Sequence, residues 1–434
     1  MKKILEKYIT EVFETKSDYS EWFGYYNYDV LSNDDTKMLC GRCNFDARSI
    51  KADDKLELGY YDLTTGTWNR ISETDSFNWQ QGSMLQWLPG NDNKLVYNVT
   101  NDNHFGSVIQ DIVTGDKRLF NYPIYCVTPD GKKAITLNYE RSYWCRAYHY
   151  QTVINKDYDV RVADDDGVFS LDFSNNTITR IIDINDVIAL DKQADFDKAR
   201  HWLEHIMISP SGTRFVFLHR FSYGSAYETR ICIADIDGNN LQLVDGWKKN
   251  FWSHIGWRTD DSFVVYSVKR NSFQASYAKG VQKAKSNKSL MTIVNKAVHT
   301  IIPKALKDFL KPKEKGYELF QLINGRFEMV EFYQGELLNI DGHPSFTKDG
   351  RYMITDSYPD KNGFQRLIIY DTETKKGVQV ALFEAPLSGN PASCDLHPKL
   401  SSDNMFIAVD TACNGKHQMM LFRVLWDNIK TEIS

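Results

Sequence analysis

Four stretches of this chain share one register, and that repeat limits what the chain can fold into. They begin at His205 (HIMISPSG), His254 (HIGWRTDD), His343 (HPSFTKDG) and His397 (HPKLSSDN). Each reads as a histidine, a short apolar strand and a tight turn. Each is followed by a second apolar run: FVFLH from Phe215, FVVYS from Phe263, YMITDS from Tyr352 and MFIAVD from Met405. Two apolar runs joined by a Ser/Thr/Asp/Gly turn form a β-hairpin. A hairpin that returns roughly every 40 to 50 residues points to a β-propeller.

The same template recurs in weaker form at Tyr28 (YDVLSNDD), Ser83 (SMLQWLPGND) and Ile124 (IYCVTPDG), which brings the expected blade count to seven. Runs such as YYDLTTGTWNRI, VFSLDFSNNTITRI and LIIYDTETKKGVQVA supply third and fourth strands joined by their own polar turns. A length of 434 residues would allow two domains, but a repeat ring closes as one body. The expected fold is therefore all-β, a seven-bladed β-propeller over residues 21–434 preceded by a short N-terminal helix within residues 1–20. That helix is read from Ile4, Leu5, Tyr8, Ile9, Val12 and Phe13, which fall on one face at helical spacing.

Two blades carry insertions, at residues 141–166 in blade three and 270–315 in blade five. The second is the compositional outlier. Residues 269–315 hold 12 Lys or Arg against 2 Asp or Glu, in a chain whose net charge is −5. Within it Leu290, Ile293, Val294, Ala297, Val298, Ile301, Ile302, Ala305, Leu306, Phe309 and Leu310 recur at helical spacing with lysines on the other faces, and Pro303 should kink the helix. A basic amphipathic helix over 286–315 suits an anionic membrane surface, or alternatively a lid or a partner site. The N-terminus lacks the continuous apolar core of a secretion signal, and seven scattered cysteines suit a reducing compartment. The expected location is cytoplasmic, with peripheral attachment to the inner face of the membrane through the insertion. No nucleic-acid partner is expected.

In a propeller the first strand of each blade lines the channel, and an antiparallel hairpin returns the end of its second strand beside the start of the first. Counting about fourteen residues on from each repeat start reaches Arg42, Asn138, His219 with Arg220, Asp356 with Tyr358, and Asp410. Polar groups at strand mouths can simply hold water in a wet channel. Four histidines in one register, out of ten in the chain, with Asp395 two residues before His397, say more. Neutral imidazoles and a carboxylate suit a divalent ion such as Mn or Zn. Nucleotide and serine-hydrolase signatures are absent: there is no GxGxxG after a strand, no GK[ST], no GxSxG and no HExxH.

These residues carry a resemblance. The hairpins at Ser209, Thr128 and Thr347 resemble those of TolB-type (PD40-type, WD40-like) propellers. FLHRF around His219, SHIGW around His254 and DLHPKLSSD around His397 resemble segments of oligogalacturonate lyases. The resemblance implies a cytoplasmic seven-bladed propeller that cleaves uronic-acid oligomers by β-elimination, using manganese held by histidines and a glutamine. It matches His254 and His397 to metal ligands and His219 to an active-site histidine. The chain departs from the pattern in having Asp395 where the lyases have a second histidine, and no glutamine in PASCD.

The expected function is thus a polysaccharide lyase acting by metal-assisted β-elimination on an anionic oligosaccharide. Its metal site would comprise His254, Asp395 and His397, with His343 or His205. Arg220 or His219 would be the base and Tyr358 the acid, and Arg42, Asn138, His205, Asp356 and Asp410 would lie around the substrate. The alternative is a non-catalytic propeller that binds a glycan or protein partner, at a membrane-associated glycan-assembly machine.

Overall fold

The turn chemistry read from the sequence recurs at the first hairpin of five blades. Ser32, Thr128, Ser209, Thr347 and Ser401 each accept, through the side-chain oxygen, the backbone N–H five residues on, at 2.9–3.2 Å. All but Ser209 also donate to an aspartate two residues later at 2.6 Å. The fourth turn residue is Asp35, Gly131, Gly212, Gly350 or Asn404, all at positive φ, where Gly, Asn and Asp are the tolerated residues.

The computed structural model describes residues 1–145, 150–154, 160–224, 227–270 and 314–434. Seven antiparallel sheets follow one another: blade 1 spans 20–74, blade 2 86–120, blade 3 126–183, blade 4 200–243, blade 5 250–334, blade 6 345–384 and blade 7 399–424. From blade 3 to blade 7 the inner strands of neighbouring blades contact one another around the axis. The second strands are buried on both faces between adjacent blades, so they read as unbroken apolar runs. Phe215, Val216, Phe217 and Leu218 in blade 4 have no exposure at all.

The N-terminus is not helical. Lys2–Ile4 forms a fifth, outer strand on blade 6, paired with Lys376–Glu384, and Ile9–Glu14 forms the outer strand of blade 7, paired with Gln418–Val424. The helical spacing of its apolar residues lost to a stronger demand. A fourteen-residue helix is marginal in water, whereas the last C-terminal strand presents an unpaired edge whose donors and acceptors need a partner. A helix does form at the other terminus, Trp426–Ile433, and it buries Ile429 and Ile433 in the same apolar cluster as Ile9.

The blade-three insertion opens with a helix, Tyr139–Cys145, and returns to the sheet at Gly167. Most of the basic insertion, with its amphipathic stripe, lies outside the described residues. No described helix is long and apolar enough to cross a membrane. Cys40, Cys43, Cys126, Cys232, Cys394 and Cys413 are buried free thiols.

Candidate functional site

The four repeat histidines meet at one level of the channel. Ring centroids lie 6.0 Å apart for His205 and His254, 4.1 Å for His254 and His343, and 4.3 Å for His343 and His397. Two of them hold strained backbone: φ is +56° at His205 and +44° at His397. At a non-glycine residue this conformation costs roughly 1–2 kcal/mol, and such positions gather at functional sites. At His205 the strain coincides with a break in the ladder between Glu204 and Met207.

Carboxylates fix the rings. Nδ1 of His343 lies 3.0 Å from both oxygens of Asp356, which also accepts the backbone N–H groups of His343, Leu396 and His397. One buried carboxylate therefore ties the mouths of blades 6 and 7 together. Burial alone would raise Asp356; the charge and hydrogen bonds of His343 more than offset it, and the carboxyl stays below its usual range. Nδ1 of His254 lies 3.0 Å from Asp341, and its Nε2 faces the Tyr358 hydroxyl at 3.5 Å.

His343, Asp395 and His397 each offer a ligand atom within 4.8 Å of the others, and all three are buried. Burial, and to a lesser degree the neighbouring His343 and His254 rings, pushes His397 well below the ordinary histidine range, so it is neutral near pH 7. Its Nε2 is a buried nitrogen without a hydrogen-bond partner among the described residues. Burial pushes Asp395 up to about 7. Its one described side-chain donor is the Gln365 amide, at 3.4 Å. Two imidazoles, one of them with an orphaned buried nitrogen, and a carboxylate fit a divalent cation, which would hold Asp395 ionised and occupy that nitrogen.

The channel beside the histidines is filled from blade 1. The segment after Ser20–Trp22 enters the axis, and its Tyr25 and Tyr26 rings lie 5.0–6.2 Å from those of His343 and His397. Tyr25 places its hydroxyl 2.9 Å from His205 Nδ1, and Tyr26 donates to the carbonyl of Ile255. Asp410 accepts the N–H groups of Phe23 and Gly24 at 3.0 and 3.1 Å, so this residue anchors the segment.

The structure brings His205, His254, His343, Asp356, Tyr358, Asp395 and His397 together. It does not bring His219 there. Blade 4 pairs His219 with Leu203, above the level of His205, and its ring turns into the sheet, 2.9 Å from His201 Nδ1. Counting fourteen residues overshoots in this blade because its first strand continues past His205 toward its N-terminus. Arg220, one residue on, forms a buried ion pair with Glu204. Glu204, His205 and Asn138 line a small cavity of about 30 Å³, and Asn138 accepts the N–H of Arg141 at the start of the blade-three helix. Arg42 stays in blade 1, bound to Glu57 and stacked on Tyr19 and Trp68.

Asp341, Gln365, Tyr25 and Tyr26 escaped the sequence reading. Asp341 sits two residues before His343 as Asp395 sits before His397, a repeat of spacing that was open to notice. The tyrosines follow a degenerate repeat and carry no such signal.

No protein-family model matches the chain, and no curated protein matches it in sequence. Solved structures do resemble it. An oligogalacturonate lyase in complex with manganese superposes with a TM-score of 0.61 over 97% of this chain and 94% of its own, at 15% identity. The oligogalacturonate lyase of Vibrio parahaemolyticus gives 0.60 over 96% and 93%, at 11% identity. TolB from Acinetobacter baumannii gives 0.39 over 89% and 80%, at 10% identity. At these identities the likeness to the two lyases establishes a shared fold.

Proposed function

We propose that this propeller is a lyase that cleaves a uronic-acid-containing oligosaccharide by β-elimination. The observation that carries the reading is the convergence of His343, Asp395 and His397 around an orphaned buried nitrogen, beside a histidine already oriented by a carboxylate. Those three side chains would hold a divalent ion, with manganese the first candidate, whose positive charge would neutralise the substrate carboxylate and so acidify the adjacent C–H.

The chain's own residues supply the proton transfers. Asp341 accepts from Nδ1 of His254, which leaves Nε2 with its lone pair toward Tyr358 and suited to take the C–H proton. As that bond breaks, its electrons form the carbon–carbon double bond, and the glycosidic oxygen leaves with a proton from the Tyr358 hydroxyl. Tyr358 keeps the role expected from the sequence. The base passes from His219 and Arg220 to His254, because His219 faces His201 and Arg220 is engaged by Glu204. Asp356 positions His343 and does not touch the reacting atoms.

The test is incubation with manganese and galacturonate oligomers while following the ultraviolet absorbance of an unsaturated uronate. Product formation that His254→Ala reduces by about 10²-fold or more supports the base assignment. His343→Ala and His397→Ala should lower bound manganese at least about tenfold while leaving the far-ultraviolet spectrum unchanged. No product from any uronate oligomer removes the lyase reading. One observation favours the non-catalytic alternative: His343 and His397 are only 1% and 2% exposed, with tyrosines packed against them. Stoichiometric manganese without product would support that alternative.

A further inference from the structure

On the side of His254 the histidine cluster is bordered by Asp341 and Tyr358, both of which are partly exposed. Their neighbours in the chain line an open cleft of about 620 Å³ between blades 5 and 6. Asn339 and Ile340 precede Asp341 along one wall, and Asp360 and Lys361 follow Tyr358 along another. The Tyr358 N–H donates to the Asp341 carbonyl at 2.7 Å, which joins the two walls where the cleft meets the cluster. A volume of this size lies within the range of small-ligand sites.

The cleft's chemistry suits a polyhydroxylated anion. Lys315, Lys361 and Arg366 line it, and none forms an ion pair with a described residue. Arg366 donates Nη1 to the Glu336 carbonyl at 3.1 Å, which anchors the guanidinium through one of its five N–H groups. Asp360 and Glu336 line the cleft too, so three cations face two carboxylates, and the Asp360 carboxylate is held in its own turn, accepting the N–H groups of Asn362 and Phe364 at 2.8 and 3.1 Å. Gln334 and Asn339 add side-chain amides, which both donate and accept as sugar hydroxyls require. Planar guanidinium is the side chain best matched to a carboxylate.

We propose that this cleft binds the outlying units of an anionic oligosaccharide, with Lys361 and Arg366 pairing with carboxylates on sugars beyond the one at the histidine cluster. The inference takes its substrate class from the lyase reading. Through Lys361 and Arg366 the enzyme reads chain length.

The experiment titrates the manganese-loaded protein with the galacturonate dimer and hexamer. Binding is measured in a His254→Ala background so that no substrate is consumed, with and without Lys361→Ala and Arg366→Ala together. Thermal melting confirms that both proteins are folded. The parent should bind hexamer more tightly than dimer. The double variant should lose about tenfold in hexamer affinity with a much smaller loss for dimer, and high salt should abolish the difference. Equal affinity of the parent for both oligomers, unchanged hexamer binding in the double variant, or equal losses for both would overturn the cleft assignment. Binding to neither oligomer would overturn it as well. The lyase reading fails separately: length-dependent binding without any unsaturated product keeps the cleft and removes the reaction, whereas product without length dependence does the reverse.

Discussion

Single buried side chains decide how this protein responds to pH. Asp166 accepts the Gly167 N–H at 2.8 Å through one oxygen, while its other oxygen is buried without a partner among the described residues. Burial pushes its carboxyl up to about 7, although the Gly167 N–H and the Arg141 charge pull the other way. Between about pH 4 and pH 7 the native state therefore holds a proton that the unfolded chain has released. Stability from this residue is complete below the unfolded value and is lost as pH climbs to about 7. His201 and His417, lowered by burial to about 4, act with the opposite sign, since over much of the same window the unfolded chain binds more protons. The expected outcome is thus a difference between proteins. Asp166→Asn should flatten the wild-type decline and be the more stable protein above pH 7, by up to about 4 kcal/mol, as read from urea unfolding at stepped pH. A constant gap between the two curves at every pH would show that the side chain is ionised in the native state. Asp166 stood in the sequence at the end of an insertion with nothing to mark it. Its burial exists only once blade 3 closes over it.

Among the elements, the segment after the first strand of blade 1 is what separates this channel from an open, wet one. It turns at Gly24, whose φ is +112° and where an added Cβ would meet the Tyr28 hydroxyl at 2.5 Å and the Gln81 carbonyl oxygen at 2.8 Å. Gly66 in an outer turn of the same blade has a φ of +71° and nothing within 4 Å. Gly66→Ala should cost about 1 kcal/mol, the backbone penalty alone. Gly24→Ala should cost more than about 2 kcal/mol, because backbone as well as side chain must shift, and it should weaken manganese binding through Tyr25 and Tyr26. Equal costs in chemical denaturation would mean that the segment yields easily. The hairpins themselves were legible in advance, since their Ser/Thr-x-Asp-Gly turns state the chemistry that closes them. The plug was not, because a tyrosine in a degenerate repeat looks the same whether it packs between blades or fills an axis.

Closure of the ring is a property of the whole molecule, and it rests on the first fourteen residues. Three C-terminal strands and Ile9–Glu14 make blade 7, and the chain's first three strand residues continue blade 6. Ile9 is fully buried, and its side chain contributes about 2 kcal/mol, to which the ladder with Gln418–Val424 adds. A chain lacking residues 2–14 should melt at lower temperature, expose the Gln418–Val424 edge and aggregate. A peptide of residues 1–16 added in trans should restore part of the melting temperature. An unchanged melting curve would show that blade 7 stands on three strands. The blade count, the hairpins and the register that sets four histidines at one level follow from local pattern, because turn chemistry and apolar periodicity act between neighbours in the chain. The N-terminal strands, the contact of Asp341 with His254, the hold of Asp356 on the N–H groups of Leu396 and His397, and the tyrosines in the channel follow from closure. Each is settled by a contact across many residues of sequence, where an unpaired edge or a buried charge finds its partner only after the ring has formed.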